Sequence, residues 1–324
     1  MIIAIDGGTT NTRFTLVEGG EVIDRIKYSI GVRDSIKNSR QVLERAVKDG
    51  ISELLGKNSI HAGEISCAVF SGMIGSENGL YNVSHISAPV GAKELKRGAV
   101  RVSLPDITDI PMLFIPGVKT FTDPGEMPLS ELDIMRGEET ELIGILAGTG
   151  LCEPLTIVLP GSHMKIVNTD ADGRITSFRT TLSGELIRAT AENTILSQSL
   201  SGGYPESSND LDERFLHMGY EYAKLHGVNE ALFKIRVYAN FIKNASPQQL
   251  YSFLIGAVLH DDIRSLSKSN SGKIVVSGSD PFRSAIASLL GESGGTIVVL
   301  SDRISEQASS IGAELIWRYT LHRD

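Results

Sequence analysis

Apolar positions follow two rhythms along this chain. Short, largely apolar runs recur at Met1 to Ile5, Ile65 to Phe70, Met112 to Ile115, Leu155 to Leu159, Ile274 to Val276 and Thr296 to Leu300, and each predicts a strand. Met1 to Ile5, unbroken, predicts a strand buried on both faces, and Ile65 to Phe70 and Ile274 to Val276 predict buried strands too. Two hairpins join them. Arg13 to Val17 and Glu21 to Tyr28 turn at Gly19-Gly20, and Ile166 to Val167 and Arg174 to Phe178 turn at Asp170 to Gly173. Helical spacing of Ile36, Val42, Leu43, Ala46, Val47, Ile51 and Leu54 predicts one helix capped by Asp34 and Ser35. Leu142, Ile143, Ile145 and Leu146 predict another, after which Ala147 to Gly150 reads as linker. Ser183 is the expected cap of the next helix. Asn209 to about Ser267 is helical throughout, with Pro247 at a helix start, and Ser305 to Tyr319 closes the chain as a helix. The aromatics of that long region (Phe215, Tyr220, Tyr222, Phe233, Tyr238, Phe241, Tyr251, Phe253) read as core, because no basic residues interleave them.

Composition changes this picture little. A chain of 324 residues predicts two domains. The net charge of −8, without a basic block, argues against nucleic acid and anionic membranes as partners. With only Cys67 and Cys152 there is no disulfide framework and no zinc spacing, which fits a cytoplasmic protein. No signal peptide and no apolar run of membrane-spanning length is seen. Sequence leaves oligomeric state open, a homodimer included.

Candidate chemistry sits where strands end. After Met1 to Ile5 come Asp6, Gly7, Gly8, Thr9, Thr10, Asn11 and Thr12. Glycines free to take φ > 0 let backbone N–H groups converge on an anion, and short hydroxyl and amide donors surround them. Asp6 at a buried strand end is placed to meet a hydrated magnesium ion, which takes few protein carboxylates. GxxxxGK[ST] and a strand-linked GxGxxG are both missing, which rules out the P-loop and argues against a dinucleotide fold. A second strand, turn and hairpin opens the other half, at Pro160, Gly161, Ser162, His163, Met164 and Lys165. Two such openings suggest a duplicated fold whose halves grip one polyphosphate. Ser71, Gly72 and Met73 follow a strand where ligands bind in open α/β sheets. Gly278 and Ser279 form a strand-to-helix loop that can lie flat against an adenine or ribose. Arg136 precedes two carboxylates, Glu138 and Glu139, which point about 100° apart on a helix and so cannot share a role.

Asp6 to Arg13 resembles the first phosphate loop of the sugar kinase, actin and heat-shock ATPase superfamily. MRGEETELIG, LPGSHMK and FRTTLSGEL, with SGMIGS upstream, resemble the 2-dehydro-3-deoxygalactonokinase family. The resemblance implies an α/β architecture of two actin-like (ribonuclease H-like) domains flanking a nucleotide cleft, expected at residues 1–148 and 149–324, with the last helix able to cross back. It implies ATP-dependent phosphorylation of the 6-hydroxyl of 2-dehydro-3-deoxy-D-galactonate, with Mg2+ held through Asp6. Glu138 is then the base and Arg136 the partner of the substrate carboxylate. Gly31, Val32, Ser71, Gly72, Met73 and Arg179 join the acceptor side. Gly8, Thr9, Thr10, Asn11, Arg13, Gly161, Ser162, His163, Lys165, Gly278 and Ser279 join the nucleotide side. Leu80, Tyr81, Asn82 and Val83 depart from the family's aromatic pattern, so another 2-keto-3-deoxy sugar acid remains an alternative acceptor. A conformational ATPase of the same superfamily and a non-catalytic sugar-acid sensor are the rival classes.

Overall fold

The structure is a computed structural model and describes residues 1–125, 127–242, 245–266, 272–291 and 296–320. Contacts divide the chain into two compact units. One is Met1–Glu153 with Thr169–Phe178 and Glu306–Asp324; the other is Pro154–Asn168 with Arg179–Ser305.

The first unit opens with β1 (Ile2–Gly7), β2 (Thr12–Glu18) and β3 (Glu21–Tyr28), then α1 (Val32–Lys37) and α2 (Arg40–Lys57). It continues through β4 (Cys67–Gly72), β5 (Ile86–Ser87), α3 (Ala92–Gly98), β6 (Val100–Val102), β7 (Met112–Phe114), β8 (Val118–Lys119), β9 (Ile134–Met135) and α4 (Glu138–Thr149). Six strands form one sheet in the order β3-β2-β1-β4-β7-β6, with β1 parallel to β4 and β4 parallel to β7. The unbroken run at the start of the chain is the central strand β1, and Ile2, Ile3 and Ile5 are wholly buried. Phe14, Leu43, Val47, Leu54 and Phe70 share their core, where the Phe70 and Phe114 rings stack. Sequence spacing missed the small sheet β5-β8-β9, whose two-residue strands carry no periodicity.

Two sequence expectations fail here for local reasons. The single helix through Ile36 is two helices, broken at Asn38 and Ser39, and Ile36 is exposed. Val32 and Arg33 tie the start of α1 to Gly8 and Thr9, whereas Leu43, Val47, Ile51 and Leu54 of α2 face the core. A break at residues that favour caps over helix interiors serves both demands. Ala147 to Thr149 is not linker but the last turn of α4, closed by Gly150 at φ 63°.

The second unit runs through β10 (Leu155–Leu159), β11 (Met164–Thr169), β12 (Ile175–Thr181), α5 (Ser183–Asn193), α6 (Ser197–Leu200), α7 (Glu213–His226), α8 (Val228–Phe241), α9 (Pro247–Leu266), β13 (Lys273–Val276), α10 (Phe282–Leu290), β14 (Thr296–Val299) and the start of α11 (Asp302–Arg318). Its sheet order is β12-β11-β10-β13-β14, with β10 parallel to β13 and β13 to β14. That order repeats the β3-β2-β1-β4-β7 order of the first unit, the pattern a duplicated fold produces. Helix α9 is buried all round, as a central helix must be. It approaches α7 closely because a Cβ at Gly219 or Gly256 would strike the other helix's backbone. Phe253 and Tyr251 are core, with Phe215, Tyr220, Tyr222 and Tyr238 packed on them. Phe233 and Phe241 are not: both are exposed on α8. Their helix face has no neighbour to cover it among the described residues. Ser267 lies outside the described residues. Leu182, not Ser183, caps α5. The Ser183 hydroxyl instead donates to the buried Asp262 carboxylate at 2.5 Å.

Candidate active site

In the first unit the turn between β1 and β2 is closed by Gly8 N–H donating to the Asn11 carbonyl at 2.8 Å. Thr9 is exposed at its tip, and Asn11 Nδ2 donates to Thr10 Oγ1. Neither Gly7 nor Gly8 takes a positive φ. The glycine freedom expected there is not used, and Gly8 N–H already has a partner. Gly7 is needed for space, since a Cβ on it would sit 2.5 Å from Ile74. The turn is braced from behind by the start of α1: Val32 N–H donates to Gly8 and Arg33 N–H to Thr9. Gly31 makes that approach feasible, because a Cβ there would lie 2.5 Å from the Thr9–Thr10 backbone. Gly31 and Val32 therefore stand behind the turn.

The ends of β1, β4 and the start of α4 converge. Asp6 pairs with Arg13 at 3.0 Å across the hairpin and with Ser71 across the parallel ladder. Gly72, at φ 82°, lies so close that a Cβ would be 2.8 Å from the Gly7 carbonyl and 3.0 Å from the Asp6 carboxylate. Gly137, at φ 110°, in turn packs its own Cβ position 3.1 Å from Gly72 Cα. Only glycine fits both backbones. Ser71 is buried, Met73 exposed.

Gly137 opens α4, and the two glutamates divide as their angular separation requires. Glu139 is fully buried, and both its oxygens accept from Gly137 N–H, at 2.9 and 2.7 Å. Burial, then the Glu138 charge, pushes its carboxyl up to about 8. Glu138 is partly buried, with Oε2 accepting from Arg136 N–H at 3.0 Å. Glu141 was missed by sequence reasoning. It stands three residues on, on the same helix face as Glu138, and burial, Glu138 and Asp6 raise it to about 8. The i, i+3 spacing was the available signal. Glu138 and Asp6 both act on Glu141 and Arg13 opposes them, so negative charge gathers where β1 ends and α4 begins.

Arg136 is turned toward Val83 and His85, donating from Nη2 to the Val83 carbonyl at 2.6 Å and meeting His85 Nδ1 at 3.2 Å. Its buried Nη1 has no partner among the described residues. Burial first, then Arg136 and Lys119, lower His85 to about 4. The imidazole is therefore neutral and accepts through Nδ1. His85 also was unforeseen, since a lone histidine in a loop carries no periodic signal. Leu80 and Val83, part of the stretch that departs from the family pattern, are buried in the core.

The second unit repeats the braced turn. Gly161, Ser162 and His163 are exposed between β10 and β11, and Glu185 N–H at the start of α5 donates to the Ser162 carbonyl at 3.0 Å. Gly184 plays the part of Gly31, since a Cβ on it would collide with the Gly161 carbonyl. His163 Nε2 lies 3.6 Å from Glu185. Lys165 is buried on β11 and donates to Thr180 Oγ1 at 2.6 Å. Gly278, at φ 88°, packs against Pro160, which brings the Gly278–Ser279 loop to this turn. Arg283, also unforeseen, holds that loop through the Gly278 carbonyl and the Asp280 carboxylate. Arg179 is exposed on β12.

This is the actin-like ATPase fold of sugar kinases. A solved Sinorhizobium meliloti protein named as a candidate 2-dehydro-3-deoxygalactonokinase matches 98% of this chain and 98% of its own at 21% identity, with TM-score 0.77. The model of the 2-keto-3-deoxy-galactonokinase family matches residues 6–312, and the chain belongs to that family. The Escherichia coli (strain K12) 2-dehydro-3-deoxygalactonokinase is 30% identical over 82% of this chain and 80% of its own. DgoK1 of Rhizobium meliloti (strain 1021), named for the same activity, is 28% identical over 61% of this chain; the match spans 58% of that relative's length. No described helix is long and apolar enough to cross a membrane.

Proposed function

We propose that the protein transfers the γ-phosphoryl of ATP to the 6-hydroxyl of 2-dehydro-3-deoxy-D-galactonate, giving the 6-phosphate and ADP. Family membership over 6–312 carries this reading. The braced turns, Gly8–Asn11 in the first unit and Pro160–His163 in the second, are the phosphate-binding elements in it. Their exposed side-chain donors are Thr9, Ser162 and His163, and Lys165 supplies positive charge from beneath its hairpin. Gly278 and Ser279 are assigned to the adenosine, and Arg13 to the phosphates.

Phosphoryl transfer is catalysed mainly by positioning and charge neutralisation. Glu138 is the proposed base. Glu139 is sealed from solvent with its carboxylate committed to Gly137, so of the two only Glu138 can reach a substrate hydroxyl. Arg136, with a planar fork and a free Nη1, is assigned to the substrate carboxylate, with Arg179 in reserve. Gly31, Val32, Ser71, Gly72 and Met73 complete the acceptor assignment. The described residues hold no group of three side chains that would enclose a metal. Hard oxygen donors at Asp6 with Glu138 and Glu141 nearby nevertheless suit magnesium, which retains most of its waters. Bound there it would neutralise phosphate charge, with Asp6 holding it through water.

ADP release, measured with and without a panel of 2-keto-3-deoxy sugar acids, tests the reading. Strict dependence on the galactonate-derived acid supports it. Dependence on another member of the panel would move the acceptor. Release without any acceptor, or none at all, would end the kinase reading.

A further inference from the structure

At the other end of the first unit's sheet lies a cavity of about 560 Å³. Cys67, at the start of β4, lines it, whereas Gly72 of the candidate active site ends the same strand. Five residues of strand, about 17 Å, separate the two places. Its apolar lining comes from Ile110, from Met112 and Leu113 of β7 and from Trp317 of α11, and its charged lining from Lys96 of α3, Arg101 of β6 and Asp109.

Both cations line the one cavity, and each bears on the other's charge. Burial first, then Arg101, holds the Lys96 ammonium below its ordinary range. Both also act on the Cys67 thiol, which burial pushes up to about 11. Lys96 spends one donor on the Trp317 carbonyl, and an ammonium has three. Arg101 and Asp109 have no ion-pair partner among the described residues, although both line the same cavity. Lys96 and Arg101 outnumber Asp109, the acidic residue of the lining, so the cavity carries net positive charge that an anion there would neutralise. Two cations match a dianion better than a single carboxylate, and the apolar lining with Trp317 matches an organic body.

We propose that this cavity binds a small organic phosphate monoester, its phosphate on Lys96 and Arg101 and its carbon body against Trp317. It is separate from the kinase site, and nothing in the transfer reaction requires it. Trp317 is the single tryptophan of the chain, so its fluorescence reports this cavity and no other place.

The experiment titrates the full-length protein with phenyl phosphate and follows Trp317 emission, with benzyl alcohol as the uncharged control and benzoate as the monoanion. Phenyl phosphate should quench or shift the emission saturably, at concentrations where benzyl alcohol has no effect and benzoate acts only more weakly. Arg101→Glu reverses an exposed charge outside the proposed catalytic groups and should weaken binding roughly tenfold or more while leaving turnover unchanged. Lys96→Gln, read by the same emission, should do likewise. Saturating ATP should not displace the probe. Unaltered emission with phenyl phosphate, equal binding by the wild type and Arg101→Glu, or competition with ATP would each overturn the proposal.

Discussion

Glu138 and Glu139 are neighbours in sequence with opposite surroundings. Glu138 is only partly buried and accepts from Arg136 N–H, whereas Glu139 is enclosed and doubly bonded to Gly137. Replacing Glu138 by Gln should lower kcat by about 10²–10⁴ with little change in ATP affinity, as loss of a general base does. Steady-state kinetics with ATP and acceptor varied separately would show it, and unchanged turnover removes Glu138 from that role. Glu139 predicts a pH dependence of stability. Its carboxyl is raised from 4.5 to about 8, so the folded protein holds a proton that the unfolded chain releases. That contribution is complete below about pH 4.5 and is lost as pH rises through about 8. Glu139→Gln should therefore flatten the decline in thermal midpoint over that range. An equally steep decline in the variant would mean that other groups cause it.

At the scale of elements, the same device occurs twice. A hairpin turn exposes its tip while a glycine at a helix start lets the helix N–H groups hold the turn's carbonyls. Gly184→Ala would drive a methyl into the Gly161 carbonyl, a collision that costs about 1–3 kcal/mol through backbone movement. Since Ser162 rides on that backbone, KM for ATP should rise more than KM for the acceptor. Equal effects on both would argue that the turn does not serve the nucleotide. The break between α1 and α2 belongs to this scale too. Periodicity saw one apolar face and could not see that one end of the segment was claimed by the Gly8–Thr9 turn.

Across the whole molecule, the chain returns to its beginning. From Glu306 onward α11 belongs to the first unit, where a Cβ on Gly312 would collide with the Thr140 carbonyl of α4. Glu314 is buried there and accepts from Gly19 N–H at 3.0 Å and Gly20 N–H at 2.7 Å, closing the β2–β3 turn. Glu314→Ala leaves those donors without their carboxylate and should cost about 2–3 kcal/mol, measurable as a lower denaturant midpoint. A midpoint within error of the wild type would show that the turn does not depend on α11.

Much of this was legible before any coordinates. Strands β1, β4 and β13 announce themselves as apolar runs because both their faces are covered, and the Gly19-Gly20 turn takes the positive φ values, 63° and 88°, that glycine permits. The motifs around Asp6, Arg136 to Glu139 and Pro160 to Lys165 marked the family because those residues are contiguous. What the linear chain could not carry was every relation between distant backbones. Gly7, Gly72 and Gly137 converge although some 65 residues separate each from the next in sequence; crowding demands all three glycines, and positive φ adds its own demand at Gly72 and Gly137. His85 entered the candidate site, and Lys96 met Arg101 and Trp317, only once packing brought separate segments together. Local pattern decides which elements form, since period and turn chemistry act over a few residues. Tertiary packing decides which side chains share a dielectric and a charge environment, and that choice separates Glu138 from Glu139.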